Sequence, residues 1–128
     1  MDRWLGRFSD VAYALFRFVT GALFACHGAQ KLLGAFGGKV MTSNPTLLAA
    51  GVIELVGGVL VAIGLAATYA AFVASGEMAF AYFLQHAPQG FWPIANKGEL
   101  AVLYCFALLY IATRGPGRYG LGAVRRRS

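Results

Sequence analysis

The sequence contains few charged side chains, and acidic ones are the scarcest of these. Asp and Glu together number 5 in 128 residues, charged residues make up 12%, and hydrophobic residues make up 59%. Because soluble domains carry about 25% charged residues, an ordinary soluble domain is excluded. The 4 prolines and 17 glycines fit close helix packing in lipid, where small side chains let backbones approach. We therefore expect one membrane domain over residues 1–128, in contact with the lipid bilayer.

Cysteine and histidine are also scarce, with 2 of each. Cys26 and Cys105 lie in apolar runs without a C-x-x-C motif. Since free cysteine is among the most buried residue types, buried thiols are predicted, with a disulfide or redox pair as the alternative. The chain also lacks the Glu-x-x-His motif of di-metal sites in helical bundles, so no metal and no covalently bound cofactor is expected. The weaker alternatives are one metal held by His27, Glu54 and Glu99, or haem held by His27 and His86.

Four apolar segments are candidates for membrane helices. A helix rises about 1.5 Å per residue, so about 20 apolar residues cross a hydrocarbon core of about 30 Å. The segments are separated by a Gly- and Pro-containing loop, a very short turn, and a loop rich in Pro, Gly and aromatic residues. The predicted spans are about 11–30, 47–67, 70–86 and 97–113, followed by a flexible basic tail over 114–128. This pattern predicts an all-α, integral membrane four-helix bundle.

Four spans place both chain ends on the same side of the membrane. Cytoplasmic segments of membrane proteins carry excess Lys and Arg, so both termini are predicted to be cytoplasmic. The net charge of +6 is then explained by the membrane, and no nucleic-acid partner is expected. The terminal basic residues are Arg3, Arg7, Arg114, Arg118, Arg125, Arg126 and Arg127, whereas the two outer loops and their edges carry only Lys31, Lys39 and Lys97.

Ionisable side chains occur in every predicted span, although each charge inside a bilayer costs about 2.5–3.5 kcal/mol or more. Helical periodicity assigns them to one face of each span. The predicted stripes are Arg17, Thr20, Phe24, His27 and Lys31 on the first span; Gly51, Glu54, Gly58 and Val61, with Gly57 beside them, on the second; Glu77 with Ala70, Ala74 and Ala81 on the third; and Glu99 with Leu103, Phe106 and Tyr110 on the fourth. If these faces all point toward the centre of the bundle, their polar side chains share one interior.

Two interpretations of this interior remain open. Counting depth at about 1.5 Å per residue puts Arg17 within reach of Glu77, and Glu54 near Lys31 or His27. In one interpretation these are structural ion pairs that neutralise buried charge and set helix register. In the other, a polar pocket in the outer half of the bundle binds a small polar or quinone-like ligand or handles protons. The candidate residues for that pocket are His27, Lys31, Glu54, Glu99 and His86, and no catalytic residue is assigned.

Several short motifs follow one another along the chain. They are His27-Gly28-Ala29-Gln30-Lys31-Leu32 with Gly34, Gly51-Val52-Ile53-Glu54 with Gly57-Gly58, Ile63-Gly64-Leu65, Lys97-Gly98-Glu99, and Gly115-Pro116-Gly117-Arg118. This ordered set, over roughly residues 11–120, resembles the DoxX family of small four-span bacterial membrane proteins. The chain departs from the family in two places. It has Lys97-Gly98-Glu99 where Gly-Gly-Glu is common, and it has Tyr119-Gly120-Leu121 after the terminal Gly-x-Gly, where Ser and Asp are common.

The resemblance implies a four-helix fold in the bacterial inner membrane. Relatives in this family include the DoxD-type subunit of a thiosulfate:quinone oxidoreductase, members implicated in quinone or catechol resistance, and members associated with thiol-redox and superoxide-defence partners. By resemblance, the chain is an accessory subunit of quinone- or thiol-linked redox defence, and because it shows no electron carrier of its own it needs a redox partner protein. The alternative is a non-enzymatic scaffold or small-molecule permeation element. The glycine faces also allow a homodimer.

Overall fold

The computed structural model describes residues 2–34 and 44–122, and over these ranges it contains helices and no strands. The all-α prediction is therefore confirmed. The helices are α1 (Asp2–Gly6), α2 (Ser9–Leu33), α3 (Pro45–Ile63), α4 (Ala67–Ala81), α5 (Pro93–Asn96) and α6 (Glu99–Arg114), with a π-helical turn at Tyr82–His86 and a 3₁₀ turn at Ala87–Gln89 between α4 and α5. Lys39 and the basic residues from 125 onward lie outside the described residues, as do the side chain of Arg3 and most of the loop predicted between the first two spans.

Local sequence signals account for the ends of α3. The Asn44 side chain accepts a hydrogen bond from the backbone N–H of Thr46 at 2.9 Å, and Pro45 occupies the first turn, where its missing N–H is not needed. Gly64 ends the helix in the left-handed region, at φ 74°, which favours glycine because it has no Cβ. This stop comes before the predicted end of the second span at residue 67, so α4 begins at Ala67 instead of 70.

The four long helices pack as two antiparallel pairs, α2 with α3 and α4 with α6, and α3 also packs on α4. Phe24, Val61, Leu108 and Ile111 are fully buried between them. The α2–α3 pair is the closest, because glycines of one helix lie on the backbone of the other. A Cβ on Gly58, for example, would lie 2.6 Å from the carbonyl oxygen of Gly21. The glycine faces expected to support dimerisation are thus used within the chain.

The outward faces of these helices are apolar. Large hydrophobic side chains are exposed along all four, among them Leu15, Phe18, Val56, Phe72, Phe80 and Leu103. Among the described helices, α2 and α3 are long and apolar enough to cross a membrane by length and composition. Exposed apolar patches of this extent mark surfaces that contact lipid or other proteins.

The chain after α6 folds back on the helices. The Tyr13 hydroxyl donates a hydrogen bond to the carbonyl oxygen of Gly115 at 2.6 Å, and the backbone N–H of Gly122 donates to the carbonyl oxygen of Gly64 at 2.9 Å. The prediction of a flexible tail is therefore wrong for residues 115–122. The reason is that the carbonyls at the C-terminal end of α3 need donors, and the glycine-rich chain can approach them closely.

Candidate functional site

A polar cavity of about 240 Å³ lies at one end of the helix pairs. The last turns of α2, the first turns of α3, the end of α4 with its π-helical turn, and the start of α6 all contribute to its wall. The polar and titratable side chains that line it are His27, Lys31, Glu54, Glu77, Gln85, His86, Lys97 and Tyr104, together with apolar residues such as Phe24 and Met78. The volume is near the lower end of the range for small-molecule sites, about 300–1,000 Å³. We refer to it as the polar pocket.

An ion pair joins α2 and α3 in this wall. Lys31 Nζ lies 2.5 Å from Glu54 Oε1, and the two side chains are 24% and 1% exposed. The contact is possible because α2 and α3 approach each other closely here. Gly28 of α2 lies against the backbone of Leu55 and of Gly51 in α3. The structure therefore brings together Glu54 and Lys31, one of the two pairings that depth counting allowed. A buried carboxylate that is paired and hydrogen-bonded avoids most of the cost of burial.

Glu77 is half-buried in the wall of the polar pocket, makes no ion pair with a described residue, and has the carboxyl group of Glu54 as its polar neighbour. Both carboxyl oxygens are inaccessible to solvent, and neither has a hydrogen-bond partner among residues 2–34 and 44–122. The side chain lies next to Glu54, on the facing wall of the same cavity. An unsatisfied buried polar group costs about 1–3 kcal/mol, and more when it is charged. A group that stays unsatisfied at this cost is a natural contact for a bound molecule.

The two histidines lie on different sides of the pocket. The His27 ring, on α2, meets the Tyr104 ring edge-on at 5.7 Å. His86 lies at the end of the π-helical turn, where its Nδ1 is 3.2 Å from the carbonyl oxygen of Asn96 and its ring stacks with Tyr82 at 6.2 Å. Such π-helical turns are rare and occur frequently at functional sites. Here the turn carries both His86 and Gln85 into the cavity wall.

Asn96 organises the loop that closes this end of the structure, and sequence reasoning missed it. Its fully buried side chain donates to the Tyr82 hydroxyl at 3.1 Å and to the Gly90 carbonyl at 2.9 Å, and it accepts from the Gly98 backbone N–H at 2.9 Å. The next residue, Lys97, adopts φ 64° and lines the pocket. A single Asn in a Pro- and Gly-rich loop offers no sequence signal that separates it from an ordinary turn residue.

The predicted ion pair between Arg17 and Glu77 is wrong. Arg17 is buried, and its Nη1 donates to the carbonyl oxygens of Val61 and Ala62 at 2.7 and 2.6 Å. These groups lie at the C-terminal end of α3, away from the polar pocket. The negative end of a helix and its unpaired carbonyls attract a guanidinium, and side chains on α2 lean toward its N-terminus, which is the direction of these carbonyls. Arg17 thus stabilises the end of α3.

The predicted position of Glu99 is also wrong. Glu99 is the first residue of α6, is exposed, and does not line the polar pocket. Its predicted companions Leu103, Phe106 and Tyr110 are exposed as well, at 67%, 64% and 50%. The buried face of α6 consists of Tyr104, Leu108, Ile111 and Ala112. Because α6 is apolar on all sides, its periodicity does not distinguish the inner face from the outer one.

The stripe predicted on the third span agrees only in part, since Ala74 is buried while Ala70, Glu77 and Ala81 are half-buried. The stripes predicted on the first two spans agree with the structure better. Arg17, Thr20 and Phe24 are buried on α2, and Gly51, Glu54, Gly57, Gly58 and Val61 are buried on α3. The two cysteines are free and half-buried, on α2 and α6. Of the predicted pocket residues, the structure therefore groups His27, Lys31, Glu54 and His86, leaves out Glu99, and adds Glu77, Gln85, Lys97 and Tyr104.

Comparison with known proteins identifies the family. A family model described as DoxX matches residues 12–87, which is more than half of the chain. The chain belongs to the DoxX family. The match spans α2, α3 and α4 with the π-helical turn, so most pocket residues of this DoxX protein lie within it. The family is membrane-associated, in agreement with the two apolar helices.

A similar full-length relative is known from Haemophilus influenzae. It is 43% identical over 124 residues, covering 91% of this DoxX chain and 92% of its own length, and it is described as an uncharacterized protein. No solved structure shows a significant match to the chain. The relative thus extends the similarity beyond residue 87 to α6 without indicating a function.

Proposed function

We propose that this DoxX protein binds a small quinone-like ligand in the polar pocket and serves as an accessory subunit of quinone- or thiol-linked redox or oxidative-stress defence. The observation that carries the proposal is Glu77, whose carboxyl oxygens are buried and make no ion pair with a described residue, next to the carboxyl of the Lys31–Glu54 pair in the wall of a cavity. Ionisable groups inside a membrane domain are candidates for function by default. One that also makes no ion pair has a hydrogen bond to offer to a ligand.

The chemistry of the wall suits a quinone and its quinol. Quinone oxygens accept hydrogen bonds, and Lys31, Gln85 and the histidines supply donors. Quinol hydroxyls donate, and the Glu77 carboxyl group supplies an acceptor oxygen. The Tyr104 ring offers an apolar face for the ligand ring. Reduction of a quinone takes up two electrons and two protons; a partner protein supplies the electrons, and the pocket groups exchange the protons.

We propose further that the protein crosses the bacterial inner membrane four times, with both termini in the cytoplasm. With the π-helical turn, α4 forms continuous helix over 67–86, and α6 has 16 residues. The contact between Tyr13, near the start of α2, and Gly115, after α6, supports an even number of crossings between them. Reporter fusions after Ser128 and at Trp92 test the topology: a cytoplasmic signal at Trp92, or an external one after Ser128, contradicts it.

Substitution of Glu77 tests ligand binding directly. Purified protein is titrated with a water-soluble benzoquinone while intrinsic Trp and Tyr fluorescence is followed. Glu77→Leu should weaken binding about 10-fold, since a buried ligand group left without its hydrogen-bond partner costs about 1–3 kcal/mol. The same variant should unfold at a higher temperature than wild type, because an unsatisfied buried group has been removed. Improved stability with lost binding is typical of a functional site.

Glu99→Leu is the matched control. It also removes a carboxylate near the same end of the protein, but from the exposed first turn of α6, so binding and stability should both stay close to wild type. The proposal fails if wild-type protein shows no saturable binding. It also fails if Glu77→Leu binds as well as Glu99→Leu does.

A non-enzymatic scaffold or permeation element is the second candidate function. The direct contact of Lys31 with Glu54 supports it, because an ion pair of this kind is complete without a ligand. If this candidate is correct, Glu77→Leu does not change the affinity for any ligand. The protein is then purified with a partner or as a homodimer, and the stability of that assembly depends on the Lys31–Glu54 ion pair. Size-exclusion chromatography with light scattering of wild type and Glu54→Gln measures that dependence.

A further inference from the structure

A second cavity adjoins the polar pocket and faces the outside of the protein. It has a volume of about 490 Å³ and lies between the first half of α3 and the second half of α4. Its wall is largely apolar, with Ile53, Val73, Phe80 and Leu84 among its residues. We call it the α3–α4 groove.

The groove and the polar pocket lie on either side of the same residues. They share Leu47, Ala50, Glu77, Ala81 and Gln85 as lining residues. Glu77, whose carboxyl makes no ion pair with a described residue, thus lines both cavities. A molecule that reaches the polar pocket through the groove meets this carboxyl on its way.

Small side chains keep the groove open. Ala49, Ala50 and Ala81 form its walls where larger apolar residues would close the seam between the helices. Its outer rim is made by Val73, Phe80 and Leu84, which are 54%, 60% and 55% exposed. On a membrane-embedded protein this rim faces lipid, so the groove opens sideways into the hydrocarbon layer and not toward water.

We infer that the ligand is a two-part, lipid-soluble molecule that enters from the bilayer through the α3–α4 groove. Its polar ring occupies the polar pocket at Glu77, and its apolar tail remains in the groove. The inference rests on the proposed function and specifies the class of ligand: a ring with a long hydrocarbon or isoprenoid tail. A water-soluble ring alone would need the polar pocket but would leave an apolar cavity of twice that volume unused.

Photolabelling tests this path. The protein is reconstituted in lipid nanodiscs with a benzoquinone that carries a photoreactive diazirine on its decyl tail, and labelled residues are located by mass spectrometry. Label is expected on the groove residues Phe80 and Leu84, and an excess of the tail-free benzoquinone should abolish it. Label elsewhere overturns the inference. Label in the groove that tail-free quinone does not displace also overturns it, because the tail would then enter the groove without its ring being bound in the polar pocket.

A steric variant provides the second arm. Ala49 lines the groove but not the polar pocket and is exposed, so Ala49→Phe should fold, retain tail-free quinone binding, and lose the tail label. Val59→Phe is the matched control, since Val59 lies on the same helix, is 45% exposed, and lines neither the groove nor the polar pocket. Equal labelling of the two variants contradicts the inference. Absent binding of the tail-free ring contradicts the proposed function instead, so the two failures are distinguishable.

Discussion

The contact between α2 and α3 predicts a large effect for the smallest possible substitution, Gly28→Ala. A Cβ on Gly28 would lie 2.7 Å from both the carbonyl oxygen of Gly51 and the Cα of Leu55. Both are backbone atoms, so no side-chain rotation relieves the clash and α2 must move away from α3. Overpacking of this kind lowers the free energy of unfolding by about 1–3 kcal/mol. Because the atoms that the new Cβ meets belong to the rigid backbone of α3, we expect a cost of about 3 kcal/mol for Gly28→Ala.

The higher helix propensity of alanine stabilises the variant and is subtracted from the cost of overpacking. Alanine is favoured over glycine in a helix interior by about 1 kcal/mol, so the free energy of unfolding should fall by about 2 kcal/mol. For a chain of this size that is a drop of roughly 8 °C in melting temperature. Gly76→Ala is the control, because no atom lies within 4 Å of the added Cβ and only the propensity gain remains.

Thermal unfolding in nanodiscs, followed by intrinsic fluorescence, measures both variants. The melting temperature of Gly28→Ala should lie below that of wild type and that of Gly76→Ala above it. Because the displaced α2 also carries Lys31 away from Glu54, quinone binding by Gly28→Ala should weaken as well. The reasoning is refuted if Gly28→Ala melts at or above the temperature of Gly76→Ala.

Three further results are expected. Lys31→Met and Glu54→Gln should each lower the free energy of unfolding by about 1–3 kcal/mol, and the double variant by less than their sum; strict additivity in thermal melts would argue against the ion pair. Arg17→Leu should lower the melting temperature more than Arg17→Lys, which keeps a donor for the two carbonyls at the end of α3; equal losses would count against that role. Asn96→Ala should expose the loop around residue 90 to limited proteolysis, and an unchanged digestion pattern would show that its hydrogen bonds are dispensable.

The inner faces of α2 and α3 were predictable because their sequences are asymmetric. Glycines at a fixed spacing on α3 mark the side that accepts another backbone, and Glu54 lies on that side. On α6 no such contrast exists. Apolar residues surround the whole helix, so choosing the stripe that contains Glu99 placed the exposed side inward. Tyr104 was missed for the same reason.

The relative levels of side chains on different helices were not predictable from counting residues along each predicted span. Arg17 and Glu77 were assigned to similar levels, yet Arg17 reaches toward the carbonyls at the end of α3. Local backbone irregularity was also beyond sequence reasoning. The π-helical turn that presents His86 has no composition signal, because a π-helical turn differs from an α-helix in hydrogen-bond register only.

The hydrogen bond between Tyr13 and Gly115 bears on how the chain assembles during synthesis. Its partners are 102 positions apart in sequence. At about 5–20 residues per second, roughly 5–20 s pass between the synthesis of the hydroxyl and that of its acceptor. During this interval the Tyr13 hydroxyl lacks the acceptor that it has in the folded protein. The packing of the chain after α6 against the helices therefore forms only when the last segment that the structure describes has been made.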